Sequence, residues 1–191
     1  MSINFKDITK IPNLISLFRI SLLIPLFFLL NDLDSNRFEV ITIILIAFIS
    51  DLSDGFIARK FNQITDLGKL IDPIGDKLFV IVLIIKFYTT GEVDAFYFWV
   101  ILLRDVIIFS GGLIVKQMIG KVMASNLLGK ITIFAIGCYF LSILFGIKYL
   151  FISELLYMAS LLLSFLSIIG YAIRAVETVK WYKKNESIKE S

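Results

Sequence analysis

The feature that most restricts this chain is a series of six apolar runs, at residues 12–30, 38–58, 73–89, 96–115, 131–148 and 153–179, joined by short polar connections. A helix needs roughly 20 mainly apolar residues to cross the hydrocarbon core of a bilayer. In lipid every backbone N–H and C=O must be satisfied within the segment, so helices are the expected solution. Composition agrees: 58% of the 191 residues are hydrophobic and 18% charged, against about 45–50% apolar in an average soluble domain. The expected fold is all-α, a polytopic membrane protein with six transmembrane helices. Residues 2–10 form an N-terminal amphipathic surface helix ahead of Pro12. One domain spanning 1–191 accommodates the whole.

Lys and Arg orient the bundle. Lys6, Lys10, Arg59, Lys60, Lys69, Lys116, Lys121, Lys130, Lys180, Lys183, Lys184 and Lys189 fall on one side, Arg37 and Lys148 on the other. The positive-inside rule places the first side, with both termini, in the cytoplasm of a cell inner or plasma membrane. The chain has no His and one Cys, Cys138. That removes His-based catalysis, His-ligated zinc and an intrachain disulfide, and leaves acid–base work to carboxylates, Lys, Tyr or water.

Against this background the stretch DLSDGFIARKFNQITDLGKLIDPIGDK, residues 51–77, stands out. At about 100° per residue, Asp51, Asp54, Gly55 and Ala58 share one helical face. Small residues there allow close approach of a ligand or another helix. Asp72 before Pro73 is a start signal for the third span, with Asp72 as N-cap. Asp76 follows one turn later. Two facing helices would gather four carboxylates, which cannot stay ionised together in a semi-apolar cleft without positive charge. Arg59, Lys60, Lys69 and Lys77 could supply some of it. A divalent metal supplies it more compactly, and oxygen-only ligands suit Mg²⁺, Mn²⁺ or Ca²⁺. Capping alone at Asp72 and solvation of Asp51 and Asp54 at a helix end are the plainer readings. Ionisable groups at membrane depth favour the functional one.

Asp51, Asp54, Gly55, Ala58, Arg59, Gly68, Asp72 and Asp76 reproduce D-x2-D-G-x2-A-R-x8-G-x3-D-x3-D without mismatch. The chain thereby resembles the CDP-alcohol phosphatidyltransferases. The resemblance implies phosphatidyl transfer from CDP-diacylglycerol to an acceptor hydroxyl, with release of CMP at a cytoplasmic site. It implies two Mg²⁺ or Mn²⁺ ions held by Asp51, Asp54, Asp72 and Asp76, with Asp76 as general base. It implies a CDP site formed by Asp54, Gly55, Ala58, Arg59 and Gly68, and a homodimer in the lipid bilayer with no nucleic-acid partner.

The opening IPNLISLFRISLLIPLFFLL resembles the first span of the phosphatidylglycerophosphate synthases of this family, which places Asn13 near the nucleotide and turns Arg19 inward. Helix capping is the other reading of Asn13. Glycerol 3-phosphate as acceptor would need further cations; Arg104, Lys130 and Arg174 are the candidates. Arg104 could instead pair with Asp105, and Arg174 could snorkel to the cytoplasmic surface. The Arg104-Asp105 pair is more like the cardiolipin synthases of the family, which use phosphatidylglycerol, and this is the alternative acceptor. A reading of another class, a carboxylate-lined ion-coupled carrier, would call for acids near the midplane and inverted repeats. The acids here lie at span ends, and no repeat is visible.

Overall fold

The computed structural model describes residues 9–61, 65, 67–120 and 127–189; the side chains of 55, 58, 59, 69, 70, 72, 73, 76 and 183–189 lie outside that description. The described residues form helices and turns without a strand. In chain order the helices are α1 (Ile11–Ser21), α2 (Leu23–Leu29) with a 3-10 turn (Leu30–Asp32), α3 (Arg37–Lys60), α4 (Gly68–Thr89), α5 (Ala95–Ile119), α6 (Leu127–Leu144) and α7 (Phe151–Lys189). Among the described residues four stretches can, by length and composition, cross a membrane: Ile11–Asp32, Ala95–Ile119, Leu127–Leu144 and Phe151–Tyr182. The chain is therefore an all-helical membrane protein. The surface helix expected at residues 2–10 falls mostly outside the described residues.

The helices form two compact units, Met1–Val93 and Asp94–Ser191. In the first, α1 packs on α3 and α4, and α2 packs on the same two helices. The first apolar run is broken at Leu22, between α1 and α2. Pro25 has no N–H to return to the Ser21 carbonyl four residues back, and a helix breaks or kinks at such a site. The inward stripe continues through the break. Asn13, Ser16, Arg19, Leu23, Leu26 and Leu30 are all buried at spacings of three or four, while Ile11, Leu14, Phe18, Ile24 and Phe28 point outward and are exposed. The stripe is polar over its first half and apolar over its second. Burying polar groups under an apolar exterior marks an internal site at one end of the bundle.

The start of α4 corrects one expectation. Asp72 is not its N-cap, because the helix already begins at Gly68. Its N-cap position is Leu67, and just ahead of the helix Thr65 Oγ1 accepts from Gly68 N at 2.9 Å. Pro73 then lies in the second turn, where it costs one backbone bond to the carbonyl of residue 69.

In the second unit α5 and α6 both pack on α7. Asp94 caps α5, accepting from Tyr97 N at 3.0 Å. Helix α6 ends four residues before the expected limit of 148. Gly146 takes φ 72°, the left-handed conformation that ends helices. Helix α7 presents Ser153, Ser160, Ser164 and Ser167, each at most 1% exposed. Ser160 and Ser167 meet Tyr97 and Arg104 of α5 at 2.9 and 3.1 Å, and Ser153 meets Ser142 of α6 at 2.7 Å. Small hydroxyl-bearing residues of this kind let helices approach closely and bond across the interface where no hydrophobic force separates lipid from helix.

Candidate active site

The site is built where the beginning of α1 crosses the end of α3 and the beginning of α4. Asp51 and Asp54 sit one turn apart on α3, as their spacing predicts. Asp54 is buried at 4% exposure; the Asp51 side chain remains 41% exposed. Arg19 reaches both from α1. Its Nη1 donates to Asp51 Oδ1 in a close ion pair, and its Nη2 lies 3.9 Å from Asp54 Oδ2. Ser16, one turn earlier on α1, has its hydroxyl 3.0 Å from Asp54 Oδ2 and 3.0 Å from the Pro12 carbonyl. It carries one proton, so it donates to one of them at a time.

One further turn back, Asn13 Nδ2 donates to Thr65 Oγ1 at 3.0 Å, and the Thr65 hydroxyl is 3.3 Å from Asn13 Oδ1. Asn13 is 2% exposed. It does not cap α1, whose N-cap position is Lys10. Through Thr65 it ties α1 to the first turn of α4. Gly68 completes this junction. A Cβ there would lie 2.6 Å from Asn13 Oδ1 and 3.2 Å from Thr65 Oγ1, so any larger residue forces Asn13 or α4 to shift. Gly75, two turns along α4, lies against Arg19, where a Cβ would be 3.5 Å from Nη2.

Of the residues singled out in the sequence, the structure brings Asn13, Asp51, Asp54 and Gly68 together. Asp72 and Asp76 follow Gly68 on α4 by one and two turns; their side chains, with those of Gly55, Ala58 and Arg59, lie outside the described residues. Among the described residues no group of three metal-ligating side chains is found. The pair that is described suits a hard cation. Two hard carboxylate oxygens already converge on a positive group, the Arg19 guanidinium. Sequence reading missed Ser16, Thr65 and Gly75, and left Arg19 outside the site. The signal was the polar series 13, 16, 19 at helical spacing inside an apolar run.

In the second unit, Arg104 is 4% exposed. Its Nε donates to Ser167 Oγ at 3.1 Å, Nη1 to Asp105 Oδ1 at 2.5 Å and Nη2 to the Gly129 carbonyl at 3.5 Å. The pairing with Asp105 is therefore present. Lys130 and Arg174 are exposed. Gly129 is held small by Tyr171, whose ring carbon Cε2 would meet a Cβ at 3.0 Å.

An acid pair on α3 and an opposing arginine on α1 thus form a polar cluster within the first unit. The sequence profile of the CDP-alcohol phosphatidyltransferases matches residues 9–169. The chain belongs to that family, and is an enzyme of phospholipid biosynthesis. It is 28% identical over 178 residues to a CDP-diacylglycerol–glycerol-3-phosphate 3-phosphatidyltransferase of Aquifex aeolicus, covering 89% of this chain and 98% of that one. It is 35% identical over 140 residues to the enzyme of the same name from Bacillus subtilis, covering 66% of this chain and 72% of that one. A Mycobacterium bovis protein provisionally named a cardiolipin synthase is 31% identical over 101 residues, covering 53% of this chain and 48% of that one. Family membership sets aside the ion-coupled carrier.

Proposed function

We propose that this enzyme transfers the phosphatidyl group of CDP-diacylglycerol to the free hydroxyl of glycerol 3-phosphate, yielding phosphatidylglycerophosphate and CMP. The observation that carries this reading is the carboxylate pair Asp51 and Asp54, drawn together with Arg19 in the part of the chain that holds the full family motif. Two divalent ions, Mg²⁺ or Mn²⁺, held by Asp51, Asp54, Asp72 and Asp76, would neutralise the diphosphate and the departing CMP. The chain's own residues do the rest. Asp76 takes the proton of the acceptor hydroxyl, carboxylates being among the bases open to a chain without His. The acceptor oxygen attacks the phosphorus bearing the diacylglycerol. The bond to the bridging oxygen breaks, and CMP leaves with that oxygen.

Asn13, Asp54, Gly55, Ala58, Arg59 and Gly68 line the CDP site. The Asn13–Thr65–Gly68 junction supports this, since it holds the backbone at the mouth of α4 without intervening side chains. Arg104, Lys130 and Arg174 are the cations for the acceptor phosphate. The family profile runs through both compact units, which supports one catalytic domain over 1–191. Six spans, with α3 and α4 as the second and third, leave both termini and the site on the Lys-rich cytoplasmic side of the inner or plasma membrane. A homodimer is part of the same reading.

A second acceptor, phosphatidylglycerol, is favoured by the Arg104–Asp105 pair and the Mycobacterium bovis relative. The deciding experiment offers purified protein labelled CDP-diacylglycerol with each acceptor in turn and identifies the lipid product. Phosphatidylglycerophosphate is the expected product; cardiolipin as sole product refutes the first acceptor. Asp51→Asn should abolish CMP release while leaving the protein folded, and near-normal turnover at saturating Mg²⁺ would refute the metal-dependent mechanism.

A further inference from the structure

Arg19 occupies a position that a metal ion would claim. Its guanidinium bonds Asp51 Oδ1 and approaches Asp54 Oδ2, and its side chain is 3% exposed. A guanidinium keeps its proton, so it cannot yield to a metal by losing charge. It must leave the oxygen that the metal takes. We propose that Arg19 is the resident counter-ion of the Asp51–Asp54 pair, which an incoming divalent cation displaces from Asp51. Arg19 then lowers the metal affinity of the site and holds the two carboxylates together while no metal is bound. This rests on the metal-dependent reading above.

Three features of the site support an exchange of this kind. First, the two acids are secured unequally. Among the described residues Asp51 is bonded by Arg19, whereas Asp54 also faces the Ser16 hydroxyl at 3.0 Å. Asp54 therefore has a hydroxyl within donating distance when the guanidinium withdraws, and Asp51 is released to a new ligand. Asp51 is also the more open of the two, so a cation reaches it first. Second, α1 is fixed independently of Arg19. Asn13 and Thr65 bind α1 to α4 two turns away. Exchange thus requires rotation of one side chain and no helix movement. Third, α4 meets the guanidinium with a glycine. Gly75 of α4 faces the guanidinium, and a Cβ would stand 3.5 Å from Nη2 and 3.7 Å from Nε. Its absence leaves space on the α4 side of the arginine.

A residue that merely props the site open would, when removed, loosen the ligands and weaken metal binding. A competitor has the opposite effect, and this separates the two roles. The probe is Mn²⁺, titrated into purified full-length protein in detergent, with free Mn²⁺ read by electron paramagnetic resonance. Arg19→Gln should bind Mn²⁺ at least about fivefold more tightly than wild type, the scale expected for removing one charge-assisted bond. Its unfolding midpoint without metal should fall, and the rise on adding Mn²⁺ should be larger than in wild type. Arg19→Lys, the variant of choice should the glutamine variant not fold, keeps the charge but loses the two-pronged reach and should tighten binding about twofold. Lys116→Gln removes an exposed charge from α5 and should leave affinity within twofold. Unchanged or weaker Mn²⁺ binding in Arg19→Gln overturns the inference, as does equal tightening in Lys116→Gln, which would be a diffuse charge effect. Asp51→Asn separates this from the reading beneath it. If Asp51→Asn loses Mn²⁺ while Arg19→Gln gains nothing, only the role of Arg19 falls. If Asp51→Asn binds Mn²⁺ as wild type does, the metal site falls and the inference with it.

Discussion

Gly68→Ala probes the junction on which the site depends. The new methyl carbon would stand 2.6 Å from Asn13 Oδ1 and 3.2 Å from Thr65 Oγ1. Ordinary carbon–oxygen contact begins several tenths of an ångström beyond the first distance, so Asn13 or α4 must move. Asn13 is 2% exposed and held by Thr65, so turning away would break that bond. Overpacking of this kind costs about 1–3 kcal/mol, and a buried amide deprived of its bond about 1–3 kcal/mol more. A gain of up to about 1 kcal/mol from placing Ala in a helix offsets part of this. The net expectation is a loss of about 2–4 kcal/mol, or roughly 5–15 °C in unfolding midpoint for a chain of this size. CMP release should fall with it, because α4 carries Asp72 and Asp76. Differential scanning fluorimetry of purified protein and initial rates measure the two effects. Gly75→Ala is the control: its nearest contact would be 3.4 Å, to Ile20 Cγ1, and stability should change by less than about 1 kcal/mol. Combining Gly68→Ala with Asn13→Ala removes the obstructing oxygen, so the double variant should lose less than the sum of the single losses. Wild-type stability and rate in Gly68→Ala, or strict additivity in the double variant, would falsify the close-approach argument.

Other expectations follow from the same geometry. Gly129→Ala should lower the unfolding midpoint through the Tyr171 ring at 3.0 Å, by about 1–2 kcal/mol, and Tyr171→Ala in the same chain should relieve most of that clash. Arg104→Gln should raise KM for glycerol 3-phosphate, with little change in KM for CDP-diacylglycerol. It should also cost stability, because Ser167 and the Gly129 carbonyl lose a charged donor; Arg174→Gln, at an exposed residue, should raise the same KM without that cost. With Cys138 replaced, cysteines at Ser35 and Glu92 should label from outside intact cells with impermeant reagents, and those at Gln63 and Asn126 should not. External labelling at position 63 would invert the topology.

The motif residues and the apolar runs were legible in the chain itself, because both are local. Helix formation in lipid needs only a sufficient length of apolar sequence, and the 3.6-residue period puts Asp51 and Asp54 on one face wherever the helix packs. Helix limits were legible where a single residue sets them, as Gly91, with φ 78°, does just past the end of α4 at Thr89. They slipped where two signals compete. Asp72-Pro73 reads as a helix start, but α4 starts earlier, with the Thr65 hydroxyl bonded to Gly68 N and held by Asn13, 52 positions away. The tertiary structure alone decided what the carboxylates face. Nothing within residues 51–77 indicates that the first cation against Asp51 comes from Arg19 on α1, or that Ser16 holds Asp54. Nor does spacing explain why position 68 must be glycine; the Asn13 oxygen at 2.6 Å does. Periodicity determines which side of a helix a residue occupies. Which helix lies opposite, and how closely, depends on the packing of segments far apart in sequence, and the chemistry of this site is set by those distances.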